Sequence, residues 1–415
     1  MNVTLEFTLR RNVVCGFLGV SVVVAGCLTA IPALAQSSQE WNRCAGKDGA
    51  AIDQLIDGCT IVIQSGSETP EKLALALVGR GSAYMTKGDY DRAIQDYDRA
   101  VSLDPKNFLA FNNRGFAYAG KGNFDRAIQD YDQAIFLNPN AALALYNRGF
   151  AHAAKGDFDH AVEDYDRAIG LNSNFTQAFL NRGFAHAARE DFDRAIADYG
   201  QAIRLNPDVA MAFYNRGVAY SRKGDFDRAI PDYNQAIQLN PNYSWAYYRR
   251  GEAFANKRDF GRAIPDYDQT IKLDPGNAKA FNDRGFVYAS KGDFDAAIRD
   301  YAQAIQLDSS YANAFYNRGS AYAEQRNFDR AIQDYDQTIR LAPNFAQAFV
   351  NRGFIYATKG NYDRAIEDFN RALALIPNSA QALLNRGIAK LRKGDQMGGR
   401  ADIAQAKLMD PNVGN

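Results

Sequence analysis

An all-α chain, built as a stack of helix pairs, follows from three observations. The dipeptide Arg-Gly occurs ten times at a spacing of 34 residues, from Arg80-Gly81 to Arg386-Gly387. Between those marks, apolar residues recur at helical spacing in two runs of about fourteen residues. Gly-Asp and Asn-Pro dipeptides separate the runs. A fixed period of this length is the signature of a solenoid, in which each unit buries its apolar face only against its neighbours. Residues 74–413 hold ten such units without insertion. So little chain is left over that an enzyme is not expected.

The first 35 residues read as an export signal. Arg10 and Arg11 precede an apolar run from Val13 to Ile31, and Ala33-Leu34-Ala35 offers a cleavage pattern before Gln36. Two alternatives stay open. Val24-Ala25-Gly26-Cys27 resembles a bacterial lipoprotein box, which would place a lipid on Cys27, although apolar residues follow it. The run is also just long enough to remain as an anchor. The expected product is exported, periplasmic or secreted, of bacterial type, with no membrane insertion after cleavage.

Residues 36–73 read as a helical N-terminal cap with a helix from Ala51 to Gln64. Of four cysteines, only Cys44 and Cys59 lie beyond the signal. In an exported protein such a pair reads as a disulfide, with buried free thiols as the alternative. Closing that loop stabilises by about 3 kcal/mol in the chain-entropy model. Two cysteines are too few for a structural zinc site.

Residues 210–243 serve as the type unit, numbered 1–34. Positions 1–14 carry Phe213, Gly217 and Tyr220 at helical spacing; positions 17–30 carry Phe226, Ala229, Ile230, Tyr233, Ala236 and Ile237. Gly at position 15 can take the left-handed conformation that stops the first helix. Position 16 is Asp or Asn in all ten units and can cap the second helix. Asp at position 18 places negative charge on that helix's first turn, and Pro at 32 ends it. The repeated Asp-Phe-Asp lacks the further ligands of a calcium loop. Small residues at 8, 20 and 27 mark close helix approach. The last unit, with Lys390, Lys407 and Gln396-Met397-Gly398-Gly399, reads as a polar cap, and 414–415 as a tail.

The order Phe213, Gly217, Tyr220, Ala229, Tyr233, Ala236, Pro241 resembles the tetratricopeptide repeat (TPR), and it recurs through 74–413. The resemblance implies a TPR α-solenoid, a right-handed superhelix of about ten helix-turn-helix repeats. It also implies a concave groove lined by positions 2, 5, 6, 9, 12 and 13 of the first helices. Such proteins typically bind peptides or segments of partner proteins. One departure is regular: position 7 is Arg and position 23 is Asp in all ten units. This predicts a ladder of Arg–Asp pairs within or between units, with an acidic ligand as the alternative partner of the arginines.

Position 6 is Asn in seven units: Asn113, Asn147, Asn181, Asn215, Asn317, Asn351 and Asn385. A carboxamide both donates and accepts, so such a row is able to hold a peptide backbone; it is equally able to bond the neighbouring helix. Phe116, Phe150, Phe184, Phe286 and Phe354 at position 9, with Tyr146, Tyr214, Tyr248 and Tyr316 at position 5, predict an aromatic groove unless the rings pack between units. Unit six breaks the pattern with Trp245, Arg249, Glu252 and Asn256, residue types that include those dominating binding hot spots. Pro231 and Pro265 fall inside second helices, where a kink is expected.

No catalytic constellation stands out. His152 and His186 occupy core position 11, a repeat apart, and His160 is the third histidine, so no metal site and no cofactor is expected. The string Gly115 to Gly122 falls inside a predicted helix and reads as chance. Lys plus Arg equals Asp plus Glu at 48 each, so nothing in the net charge attracts nucleic acid. The expected function is a non-catalytic scaffold of the bacterial envelope that binds a protein or extended peptide in its groove. The alternative is a self-assembling structural element whose groove takes another copy or its own terminus.

Overall fold

The computed structural model describes residues 39–46, 49–65 and 68–414. The expected export signal, including Cys27, lies outside the described residues. Among those described there are twenty-two helices and no strand. None of these helices is long and apolar enough to cross a membrane.

The chain divides into two compact units, residues 1–223 and 224–415. The first holds α1 (Gln39–Cys44), α2 (Ile52–Gln64), α3 (Pro70–Thr86), α4 (Tyr90–Leu103), α5 (Phe108–Gly120), α6 (Phe124–Leu137), α7 (Ala142–Ala154), α8 (Phe158–Leu171), α9 (Thr176–Ala188), α10 (Phe192–Leu205) and α11 (Ala210–Arg222). The second holds α12 (Phe226–Leu239), α13 (Ser244–Asn256), α14 (Phe260–Leu273), α15 (Ala278–Ser290), α16 (Phe294–Leu307), α17 (Ala312–Glu324), α18 (Phe328–Leu341), α19 (Ala346–Thr358), α20 (Tyr362–Leu375), α21 (Ala380–Lys393) and α22 (Gln396–Met409). From α3 onward, odd-numbered helices are first helices and even-numbered ones second helices. Within each unit a helix packs on its hairpin partner and on the next hairpin.

Cys44 and Cys59 are joined by a disulfide that ties α1 to α2. It lies among Trp41, Val62 and Ala76 in a small core, and the Trp41 Nε1 donates to Glu68 Oε1 at 2.7 Å.

The punctuation works as its chemistry predicts. Position 15 has positive φ in each repeat, from Gly88 at 75° to Gly394 at 107°. Three repeats hold that conformation without glycine: Glu190 (62°), Arg258 (59°) and Arg326 (57°). The position-16 side chain caps the second helix in nine repeats, from Asp89 to Asp395. Asn327 makes no such bond. Glycine at position 8 is a contact point. A Cβ on Gly149 or Gly183 would lie 2.9 Å from the ring of Tyr165 or Tyr199. Pro231 and Pro265 are exposed, and α12 and α14 continue through them without interruption.

The Arg–Asp ladder runs both within and between repeats. Arg148 donates from Nε and Nη2 to Asp164 in its own repeat (2.8 and 2.6 Å) and from Nη1 to Asp132 of the repeat before (2.6 Å). Arg114, Arg182, Arg284 and Arg352 repeat this arrangement. For Arg250 and Arg386 the outer acceptor is Asn234 or Asn370. Arg318 has Ala302 at that place and keeps its pair with Asp334. The inner aspartates are buried; burial pushes Asp130, Asp266 and Asp368 above the usual carboxylate range while their arginines pull down. Removing one partner of such a pair would leave an uncompensated buried charge. A second ladder, absent from the sequence reading, crosses between repeats on the outside. Lys121, Lys155, Lys257, Lys359 and Lys393 at position 14 bond Asp91, Asp125, Asp227, Asp329 and Asp363 at position 18 of the preceding repeat. Asp at position 18 thus has a partner besides the helix dipole.

Candidate functional site

Within each unit, exposure along the first helices follows a stripe. Positions 2, 6, 9 and 13 are open or half-open in most repeats, a spacing of about one face of an α-helix. Position 5 is buried in every repeat except at Tyr316, which is half-buried. This corrects the expectation for Tyr214 and Tyr248, which are 4 % and 0 % exposed. At position 5, Asn112, Tyr146, Tyr248, Asn282 and Tyr316 reach the first helix of the following repeat and form part of the joint.

The asparagines complete that joint. Asn147 Nδ2 donates to Asn112 Oδ1 (3.2 Å), Asn181 to the Tyr146 hydroxyl (3.0 Å), Asn317 to Asn282 (3.0 Å) and Asn351 to the Tyr316 hydroxyl (3.1 Å). Each bond runs from position 6 of one repeat to position 5 of the one before. Asn113 donates instead to Ser82 Oγ at 3.4 Å. Asn147 is buried, and Asn113, Asn181, Asn215, Asn317 and Asn351 are half-buried. Five of these amides, Asn113, Asn147, Asn181, Asn317 and Asn351, thus bond the neighbouring helix.

Unit six interrupts this row with charge. Tyr248 reverses the bond: its one hydroxyl proton is donated to Asp283 Oδ2 at 2.5 Å, and Glu252 Oε1 lies 3.1 Å from the same hydroxyl oxygen. Arg249 Nη1 donates to Glu252 Oε2 at 2.7 Å. Lys279 Nζ lies 3.5 Å from Glu252 and 5.0 Å from the Tyr248 ring centre. Trp245 meets Tyr248 edge-on at 5.8 Å and is half-buried. Burial pushes Asp283 above the usual carboxylate range, and burial likewise pushes the Tyr248 phenol well up. The structure thus gathers Trp245, Tyr248, Arg249 and Glu252 and adds Lys279 and Asp283 from the next repeat. The sequence signal was Asp283 at position 6, where seven repeats have Asn; position 2 varies from repeat to repeat and gave none for Lys279.

The position-9 rings divide by unit. Phe116, Phe150 and Phe184 in the first are half-buried. Phe286 and Phe354 in the second are 56 % and 57 % exposed. The stripe therefore offers aromatic, amide and charged groups suited to non-covalent recognition.

Helix pairs that expose a first-helix stripe within each unit define a repeat scaffold for protein interaction. Family models place the chain: it belongs to the tetratricopeptide repeat family. Models described as TPR repeat or tetratricopeptide repeat match residues 81–122, 186–224 and 287–326, 210–243, 112–174, 316–380 and 355–406, and 232–264 and 266–299. No curated protein matches the chain. Among solved structures, MamA is 28% identical, over 39% of this chain and 94% of its own, with a TM-score of 0.38. YrrB, described as a TPR protein with an unusual peptide-binding site, is 24% identical over 44% and 95%, with a TM-score of 0.40. The C-terminal part of a TPR protein from Cytophaga hutchinsonii is 21% identical over 57% and 97%, with a TM-score of 0.48.

Proposed function

We propose that this chain is a non-catalytic scaffold of the bacterial cell envelope that holds a protein segment or extended peptide along its first-helix stripe. The observation that carries the reading is the pair of phenylalanines, Phe286 and Phe354, standing more than half exposed on a face that also carries Trp245 and Arg249. Exposed apolar groups rimmed by polar ones mark interaction surfaces, and Trp and Arg dominate hot spots. In this reading Asn113, Asn147, Asn181, Asn215, Asn317 and Asn351 set the spacing of the stripe. Tyr214 and Tyr248 support it from beneath, and Trp245 and Arg249 contact the ligand. The export-like N-terminus and the Cys44–Cys59 disulfide support an oxidising compartment.

The test is capture of envelope proteins by wild type, Phe286→Ala/Phe354→Ala and Trp245→Ala/Arg249→Ala. Loss of the same partner from both variants is expected; equal capture by all three would remove the stripe as the site. Self-assembly is favoured by the last repeat, where Met397 and Leu408 are each 86 % exposed. Light scattering across concentrations separates the readings, since oligomers that shield Phe286 and Phe354 from labelling would support assembly.

A further inference from the structure

The hairpin turn of repeat three carries a departure that the stripe does not use. In the ordinary repeat, Arg at position 19 lies over the aromatic ring at position 11. Arg92 sits 4.4 Å from the Tyr84 ring centre, Arg262 4.3 Å from Phe254, and Arg126, Arg330 and Arg364 stack likewise. The same guanidinium bonds the cap at position 16, as in Arg92–Asp89 and Arg228–Asp225, both 2.5 Å. A cation is therefore held between a ring and a carboxylate. Repeat three replaces both partners together. Position 11 is His152 and position 19 is His160, where seven other repeats have Arg.

The two imidazoles stack at 5.2 Å and 26°. Each turns Nδ1 toward the same oxygen, Asp157 Oδ2, at 3.5 Å for His152 and 2.7 Å for His160. The other oxygen, Oδ1, accepts the His160 amide and serves as the helix cap, so Oδ2 is not needed for capping. All three donor atoms lie within 4.8 Å of one another. Tetrahedral bonds of about 2.0–2.2 Å separate ligand atoms by about 3.4 Å, so a small side-chain adjustment closes the set. Burial pushes the His152 imidazole below its ordinary value, toward the neutral form that coordinates metal. The Asp157 hydrogen bond pushes His160 upward, so a proton competes for the place.

We propose that His152, Asp157 and His160 form a binding site for a divalent transition cation, which occupies the place that an arginine charge fills in other repeats. Two imidazoles and a carboxylate suit zinc-type ions rather than magnesium or calcium. Three protein ligands at an open turn leave one coordination position to water. His186 in repeat four has the ring replacement alone, with Arg194 retained at position 19, and forms no such group.

The test is calorimetric titration of untagged full-length protein, stripped of metal, with zinc chloride and separately with cobalt chloride. One ion per chain at micromolar affinity is expected. His160→Arg restores the residue of the other repeats, so its fold is preserved, and circular dichroism checks this. It should weaken binding by at least about tenfold, as should His152→Tyr. His186→Tyr should leave binding unchanged. Equal binding by wild type and His160→Arg, or no saturable binding below millimolar metal, would overturn the proposal in favour of a protonated His160 as the arginine substitute.

Discussion

The first-helix stripe of repeats two to four differs from that of repeats seven to nine, although phenylalanine stands at position 9 throughout the first set and in repeats seven and nine of the second, with Ser320 between. In the first unit, Leu109 and Leu143 stand at position 2 and Gly120, Ala154 and Ala188 at position 13. Phe184 meets Phe158 of the preceding hairpin at 6.2 Å, and Gly120 leaves room for Tyr90. The rings there fold back onto their own scaffold. In the second unit, Lys279, Asn313 and Gln347 stand at position 2, with Ser290, Glu324 and Thr358 at position 13. Phe286 and Phe354 rise from polar ground. The same residue type thus serves packing in one unit and presentation in the other, and its neighbours decide which.

The contrast breaks most strongly at the ladder beneath the stripe. Arg148→Ala leaves Asp164 buried and unpaired, an expected loss of about 3–5 kcal/mol by urea unfolding. Arg318→Ala should cost less, because Ala302 gives Arg318 no outer acceptor; equal losses would show that the inter-repeat bond adds nothing. Next in size, Phe150→Ala should lower stability by about 1–3 kcal/mol. Phe354→Ala should stay within about 0.5 kcal/mol of wild type while losing partner capture. A stability loss as large as that of Phe150→Ala would place Phe354 in the core.

Asp283→Asn sharpens the comparison through pH. Burial raises the Asp283 pKa on folding, so the folded chain binds that proton more tightly than the unfolded one. Its contribution is present below the ordinary carboxylate pKa and is lost as pH rises through the raised value. The variant, which restores the asparagine of seven other repeats, should gain melting temperature over wild type from about pH 4 upward. A gap that does not change with pH would contradict this. A last set of expected effects are gains. Glu190→Gly, Arg258→Gly and Arg326→Gly relieve left-handed backbone, and each should stabilise by about 1 kcal/mol by thermal melting.

The helix pairs, caps, glycine contacts and Arg–Asp pairing were legible in the sequence because each rests on a local rule repeated ten times. The role of position 5 was not. Whether Tyr248 faces a groove or the next helix depends on how far one hairpin rotates against another, and no single repeat encodes that angle. The asparagines were ambiguous for the same reason, since a carboxamide suits either neighbour. The pairing of His152 with His160 was not legible because position 11 by itself sets His152 beside His186; the turn brings positions 11, 16 and 19 together.

The three-way grip of most of these arginines has a consequence for motion. A guanidinium that holds its own hairpin and the one before it makes opening contagious: loosening one hairpin strips its neighbour of an anchor. Amide exchange should therefore be lost in blocks of several hairpins rather than one at a time, and Ala302, which breaks the chain of anchors, marks where one such block is expected to end.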